Sequence, residues 1–154
     1  MALLSYDKIF ESFLRKITDF DIANMPTQLA YSMEIEYLHS AIARPYLRRL
    51  FSVFNLDDEV GEINYALKQV TDEIQDEYFI IEAIALGMQI EWIEPQLNSK
   101  LLNSQFFTSS KESKFYSQSQ HITSLQNSYD MLVKKQRDLI RDRGYIYNPR
   151  LEES

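Results

Sequence analysis

Residues 72–94 read DEIQDEYFIIEAIALGMQIEWIE, and the fold turns on whether this run is a strand, a membrane span or an enclosed helix. Between Tyr78 and Ile93 only Glu82, Gln89 and Glu91 are strongly polar. Apolar side chains on every face predict a helix surrounded by protein. The run is too long for a strand, and its Ala, Leu, Met and Glu content favours helix. Thr71 is placed to cap it, and Asp72, Glu73, Asp76 and Glu77 suit the positive end of the helix dipole. Pro95, with no N–H to give the preceding turn, is expected to stop or kink it. Glu82, Glu91 and Glu94 rule out a span, which needs about 20 nearly uncharged apolar residues.

The rest of the composition fits a helical protein. At 154 residues the chain suits one domain with a sizeable core, and three glycines and four prolines leave few turn signals. We therefore expect an all-α fold: a compact helical bundle with a buried central helix, a long C-terminal helix and extended loops. Residues 1–144 form the domain and 145–154 a tail. The lack of cysteine excludes a disulfide scaffold, thiolate zinc and a cysteine nucleophile, and is compatible with a reducing cytoplasm. MALLSYDKIF has no signal-peptide pattern. A net charge of −7 argues against a general nucleic-acid binder. Ten tyrosines and nine phenylalanines suit either protein–protein contacts or a well-filled core.

Outward from the central run, Ile9, Phe10, Phe13, Leu14 and Ile17 mark an amphipathic helix capped by Ser5, followed by a loop over residues 18–27. A second helix over 27–49 carries Leu29, Met33, Tyr37 and Ala41 at every fourth position, and Pro45 must kink or end it. Arg44, Arg48 and Arg49 form the densest basic cluster: a solvated helix end, or a surface for an acidic patch on a partner subunit. Residues 50–70 read as a loop, with an acidic exposed stretch at 55–61 (NLDDEVG). The alternation of Ile63, Tyr65 and Leu67 allows one short strand. No partner for it is visible in the chain, so an irregular connector or an edge for another subunit both fit.

Residues 95–107 suggest a short kinked helix and 103–116 a loop pinned by Phe115 and Tyr116. The last helix starts at a capping box, Ser117 with Gln120. Ile122, Leu125, Tyr129, Leu132, Gln136 and Leu139 then step by three and four, as an antiparallel helix pair requires. Arg137, Arg141 and Arg143 enrich its final turns, and Gly144 follows as a natural terminator. Tyr145, Ile146 and Tyr147 make an aromatic tail that would dock on its own bundle or on a neighbour.

No catalytic signature emerges. His39 and His121 lack metal-ligand spacing, Glu36 before His39 being a common coincidence. Asp57, Asp58, Glu59 and Glu62 lack the alternation of a calcium loop. A phosphate loop, a nucleophile elbow and a metal motif are all missing from the sequence. We expect a non-enzyme without cofactor, metal or membrane association.

Five blocks in order carry a likeness: 37–42 (YLHSAI), 84–95 (IALGMQIEWIEP), 101–111 (LLNSQFFTSSK), 115–122 (FYSQSQHI) and 143–147 (RGYIY). Together they resemble small head–tail connector (neck) proteins of tailed bacteriophages. The resemblance implies a virion protein, in the host cytoplasm during assembly. It would form a twelve-membered ring under the portal protein, extend a channel through which DNA passes without sequence-specific binding, and dock the tail or a stopper protein. Expected interface residues are Arg44, Arg48, Arg49, Phe106, Phe107, Tyr145, Ile146 and Tyr147. The alternatives are a free helical phage protein acting on a host target, and an enzyme whose pocket sequence does not reveal.

Overall fold

The computed structural model describes residues 2–17, 22, 24–106 and 112–146, with side chains described for 2–17, 22, 24–99 and 120–143. The chain is 72% helical but carries a small antiparallel sheet, so the all-α expectation is corrected to mostly helical. In order, the elements are β1 (Ala2–Ser5), α1 (Tyr6–Lys16), α2 (Thr27–Ile42), α3 (Pro45–Arg48), β2 (Phe51–Asp57), β3 (Glu62–Leu67), α4 (Glu73–Phe106) and α5 (Glu112–Ile146).

The sheet has the order β1-β3-β2. The region expected to be a loop at 50–70 is thus a hairpin, and the strand over Ile63, Tyr65 and Leu67 has partners on both sides within the chain. All three residues point into the core, as their alternation requires. Register runs from Ala2↔Tyr65 to Ser5↔Glu62 on one side and from Phe51↔Leu67 to Asp57↔Glu62 on the other, with an irregularity between Phe51 and Val53.

Only the tip of the acidic stretch is a turn. Asp57 accepts from the Glu59 and Val60 N–H groups at 3.1 Å, and Gly61 closes the turn at φ 77°, a conformation that favours glycine. The Tyr6 N–H donates to the Gly61 carbonyl at 2.8 Å and ties the start of α1 to the hairpin.

Ser5 caps α1, its hydroxyl accepting from the Asp7 N–H at 3.2 Å. Ile9, Phe10 and Phe13 are buried, while Leu14 is 42% exposed. In α2 the buried face is Glu34, Leu38, Ala41 and Ile42, and Leu29, expected on it, is exposed. Pro45 does interrupt the second helix: Arg44 is extended, as a residue before proline prefers, and Pro45 opens α3. Most of the expected 18–27 loop lies outside the described residues.

α4 runs 34 residues and continues through Pro95. Neither a stop nor a separate short helix occurs, and the proline leaves the Glu91 carbonyl without its helical donor. Phe79, Ile80, Ala83 to Met88, Ile90, Ile93 and Leu97 are enclosed, but the first turns are not, with Ile74 64% and Tyr78 70% exposed. Enclosure on all sides therefore begins at Phe79. Thr71 is not a cap either, because its hydroxyl and N–H donate to Asp76 at 2.7 and 3.2 Å.

α5 begins at Glu112, so the expected 103–116 loop is helix at 103–106 and 112–116, and its middle lies outside the described residues. Ser117 and Gln120 sit inside the helix and form no capping box, and Gly144 falls before its end. The positions Ile122, Leu125, Tyr129, Leu132 and Leu139 are half-buried and Gln136 is buried, as the stepping predicted. Contacts of Gln136 with Ala83 and of Arg143 with Asp76 run in opposite senses along the two helices, which makes α4 and α5 an antiparallel hairpin.

Candidate interaction surface

Among the described residues, a cluster of charged side chains converges where α3 and α5 meet. The break at Arg44-Pro45 turns the chain so that Tyr46 faces α5. Its hydroxyl donates to Gln136 Oε1 at 2.7 Å, and Gln136 Nε2 donates to the Ala83 carbonyl at 2.9 Å, linking α3, α5 and α4 in one relay. Gly87 permits this approach, since a Cβ there would lie 3.0 Å from Ala41 Cβ and 3.1 Å from Gln136 Nε2.

Outside this relay a solvent-open groove of about 1170 Å³ runs between the two elements. Five cations line it, Arg44, Arg49, Lys134, Arg137 and Arg141, against two carboxylates, Asp130 and Asp138. Apolar surface comes from Val133 and Ile140, and the tyrosines Tyr46 and Tyr129 add mixed apolar and polar faces.

The cations differ in their commitments. Arg44 is held by Glu91, with Nε and Nη2 donating at 2.9 and 2.7 Å, and by Glu94 at 3.4 Å. Burial works against its charge, but the hydrogen bonds and the charge of Glu91 prevail and keep the guanidinium above its usual value. Burial pushes the Tyr46 hydroxyl up as well, so it stays a donor. Arg141 makes exposed pairs with Asp138 and Asp142 at 3.3 and 3.4 Å. Arg49, Lys134 and Arg137 have no ion pair among the described residues.

Of the expected interface residues, Arg44 and Arg49 meet in the groove. Arg48 does not: it donates to the Phe51 carbonyl at 3.2 Å and lies 5.7 Å over the Phe54 ring. Phe106, Tyr145 and Ile146 are helical, their side chains outside the described residues, as are Phe107 and Tyr147 altogether. Sequence reading missed Tyr46, Tyr129 and Lys134, and took Arg137 and Arg141 for complements of the helix dipole. Their spacing was the available signal, since Lys134, Arg137 and Arg141 step by three and four along one helix face.

Other polar clusters serve the fold. Arg143, expected as another dipole complement, is buried: it donates to Asp76 at 2.5 Å and to the Gln69 carbonyl at 2.9 Å, and stacks 4.5 Å over Phe79. Burial raises the Asp76 carboxyl, yet the hydrogen bonds from Arg143 and Thr71 outweigh it and hold it below its usual range. His39 Nε2 lies 3.0 and 2.9 Å from the Asp58 oxygens, and the Tyr6 hydroxyl donates to the same carboxylate at 2.6 Å. Those two hydrogen bonds hold Asp58 below its usual range. Among the described residues, no three His, Asp or Glu side chains are grouped to hold a metal ion, and no helix is long and apolar enough to cross a membrane.

No family model, curated protein or solved structure matches the chain, so the site stands on its own geometry. A groove lined by five cations, two apolar side chains and two tyrosines is suited to gripping an acidic surface of another macromolecule.

Proposed function

We propose that this chain is a structural, non-catalytic subunit of a tailed phage particle: a head–tail adaptor that assembles as a ring beneath the portal protein. The ring extends the DNA channel and presents a docking surface to the tail or to a stopper protein. The observation that carries the reading is the open groove, whose cations Arg49, Lys134 and Arg137 are left unpaired on the side of an antiparallel hairpin of long helices. A ring subunit needs a stiff body and an unsatisfied surface that a neighbour completes, and this arrangement supplies both. The five sequence blocks that resemble neck proteins give the reading its setting and its twelvefold ring. A net charge of −7 suits a channel wall that lets DNA slide past, because like charges repel.

Cryo-electron microscopy of particles, with and without the gene, tests the proposal. The expected result is density for the chain at the neck, and DNA-filled heads without tails when it is deleted. Normal tailed particles from the deletion would reject it in favour of a free protein acting on a host target.

A further inference from the structure

Val70, Ile74 and Tyr78 are three of the eight large apolar side chains that stand in solvent among the described residues, exposed by 65%, 64% and 70%. Ile74 and Tyr78 lie one turn apart on α4, Val70 just precedes the helix, and every residue from 68 to 75 is exposed. Scattered apolar residues need no explanation, but Ile74 and Tyr78 stand one turn apart on the same helix face and form an apolar ridge, which marks a contact surface. Asp72 and Glu73 flank it, and Glu77, one residue before Tyr78, is already paired with Lys8.

We propose that the groove between α3 and α5 receives this ridge from a second copy of the chain. The two surfaces complement each other in three respects. One is a helical ridge and the other a groove; both carry apolar side chains, Ile74 and Tyr78 against Val133 and Ile140; and the carboxylates of Asp72 and Glu73 would meet a lining that includes Arg49, Lys134 and Arg137, which have no ion pair among the described residues. A chain with net charge −7 repels its own copies at a distance, so self-association needs a local pairing of opposite signs. The ridge and the groove supply it. Nucleic acid suits the groove less well, because Asp130 and Asp138 stand on its walls and the whole molecule repels phosphate.

Ridge and groove share no residue. Each copy that uses its ridge on one neighbour keeps its groove for another, unless two copies exchange both contacts at once. Such a head-to-tail contact extends into a closed ring when the rotation between copies divides the circle. The inference takes its biological setting from the adaptor reading and names the surfaces through which the subunits would meet.

The test is sedimentation velocity and native mass spectrometry of the full chain with Ile74→Asp and Arg137→Glu. Both positions are exposed, and circular dichroism melts confirm that each variant is folded. The wild-type chain is expected to associate with rising concentration, and each variant alone to lose about thirtyfold or more in association constant. An equal mixture of the two variants should recover one-to-one pairs, because each supplies the surface that the other lacks. Wild-type association that neither variant weakens overturns the contact and leaves the adaptor reading in place. A wild-type chain that stays monomeric at every concentration also overturns it. So does loss of association on removing residues 145–154 with both variants silent, which assigns the contact to the tail. Binding of a short DNA duplex, abolished by Arg137→Glu without any self-association, gives the groove to nucleic acid instead. Absence from the neck of the particle removes the adaptor reading, while a ridge–groove contact measured in solution stands.

Discussion

α4 and α5 are nearly equal in length, 34 and 35 residues, and they are held in the molecule by opposite means. α4 buries Phe79, Ile80, Ile84, Leu86, Met88 and Ile90 among the side chains of α1, α2 and α5. On α5 the buried described side chains are polar, Gln136 and Arg143, and its apolar residues are only half-covered. Apolar burial is strong but non-directional. A buried hydrogen bond or ion pair is directional, and it is satisfied in one alignment only. The first helix therefore supplies the drive to collapse, and the second is fixed in register by two latches, Gln136 on Ala83 and Arg143 on Asp76.

The sharpest way to break this contrast is at the Arg143 latch. Asp76→Ala leaves a guanidinium nine-tenths buried without its counter-charge, and should cost about 3–5 kcal/mol in a urea melt. Replacing both partners by apolar residues, Asp76→Leu with Arg143→Met, should restore most of that loss, since a buried pair is often no better than well-packed hydrophobes. A double variant as weak as the single one would mean that Arg143 serves more than Asp76.

Ile84→Ala, a truncation inside α4, should cost about 2–5 kcal/mol by the loss of transfer energy and the cavity left behind. Trp92, half-buried, should be less sensitive to the same change in the same melt. An Ile84→Ala melt superimposable on the wild type would mean that α4 is not enclosed. Gln136→Leu leaves the Tyr46 hydroxyl without its acceptor and removes the side-chain hydrogen bond to the Ala83 carbonyl, for about 1–3 kcal/mol. That variant should also raise amide hydrogen exchange in α5 more than in α4.

Acid sharpens the contrast further. The folded-state value of Asp76 lies below its ordinary one, so its contribution is present above the unfolded value of about 4 and is lost as pH falls through the folded one. Wild type should lose stability over that window more steeply than Asp76→Ala. Glu34 has the opposite sign: burial first, then the charge of Asp7, raises its carboxyl. Its contribution is present below the unfolded value and lost as pH rises through the folded one, so Glu34→Gln should modestly raise the melting temperature at neutral pH.

What the sequence made legible was decided by how local the cause is. The apolar run of α4, the Ser5 cap and the stepping of α5 are read from neighbours within a few residues, and each is present in the fold. The exceptions followed from distant partners. Pro95 was expected to stop or kink the helix because local chemistry disfavours proline inside one, and the stop does not occur, since the helix continues on both sides of it. Thr71 looked like a cap, until Asp76 and Arg143 came together around it. The alternation of Ile63, Tyr65 and Leu67 allowed a strand without deciding it, because one of its partners, Ala2–Ser5, is four residues long and carries no strand pattern of its own. At the groove, Arg44 and Arg49 stood out by density in the sequence. Lys134 was passed over and Arg137 was read as a complement of the helix dipole, because only folding brings them opposite Arg44 and Arg49.

The middle strand of the sheet carries a consequence for synthesis. Its hairpin partner lies immediately before it, whereas Ala2–Ser5 emerges from the ribosome long before either. Leu4 and Tyr6, both 1% exposed in the finished molecule, must wait until Gly61 and Ile63 have been translated. Closing so wide a loop costs only slightly more than closing a short one, so the penalty falls on timing and not on final stability. Nascent chains stalled ahead of the hairpin would display a greasy leader with no docking place, which makes that window the one in which chaperones and proteases compete for the protein.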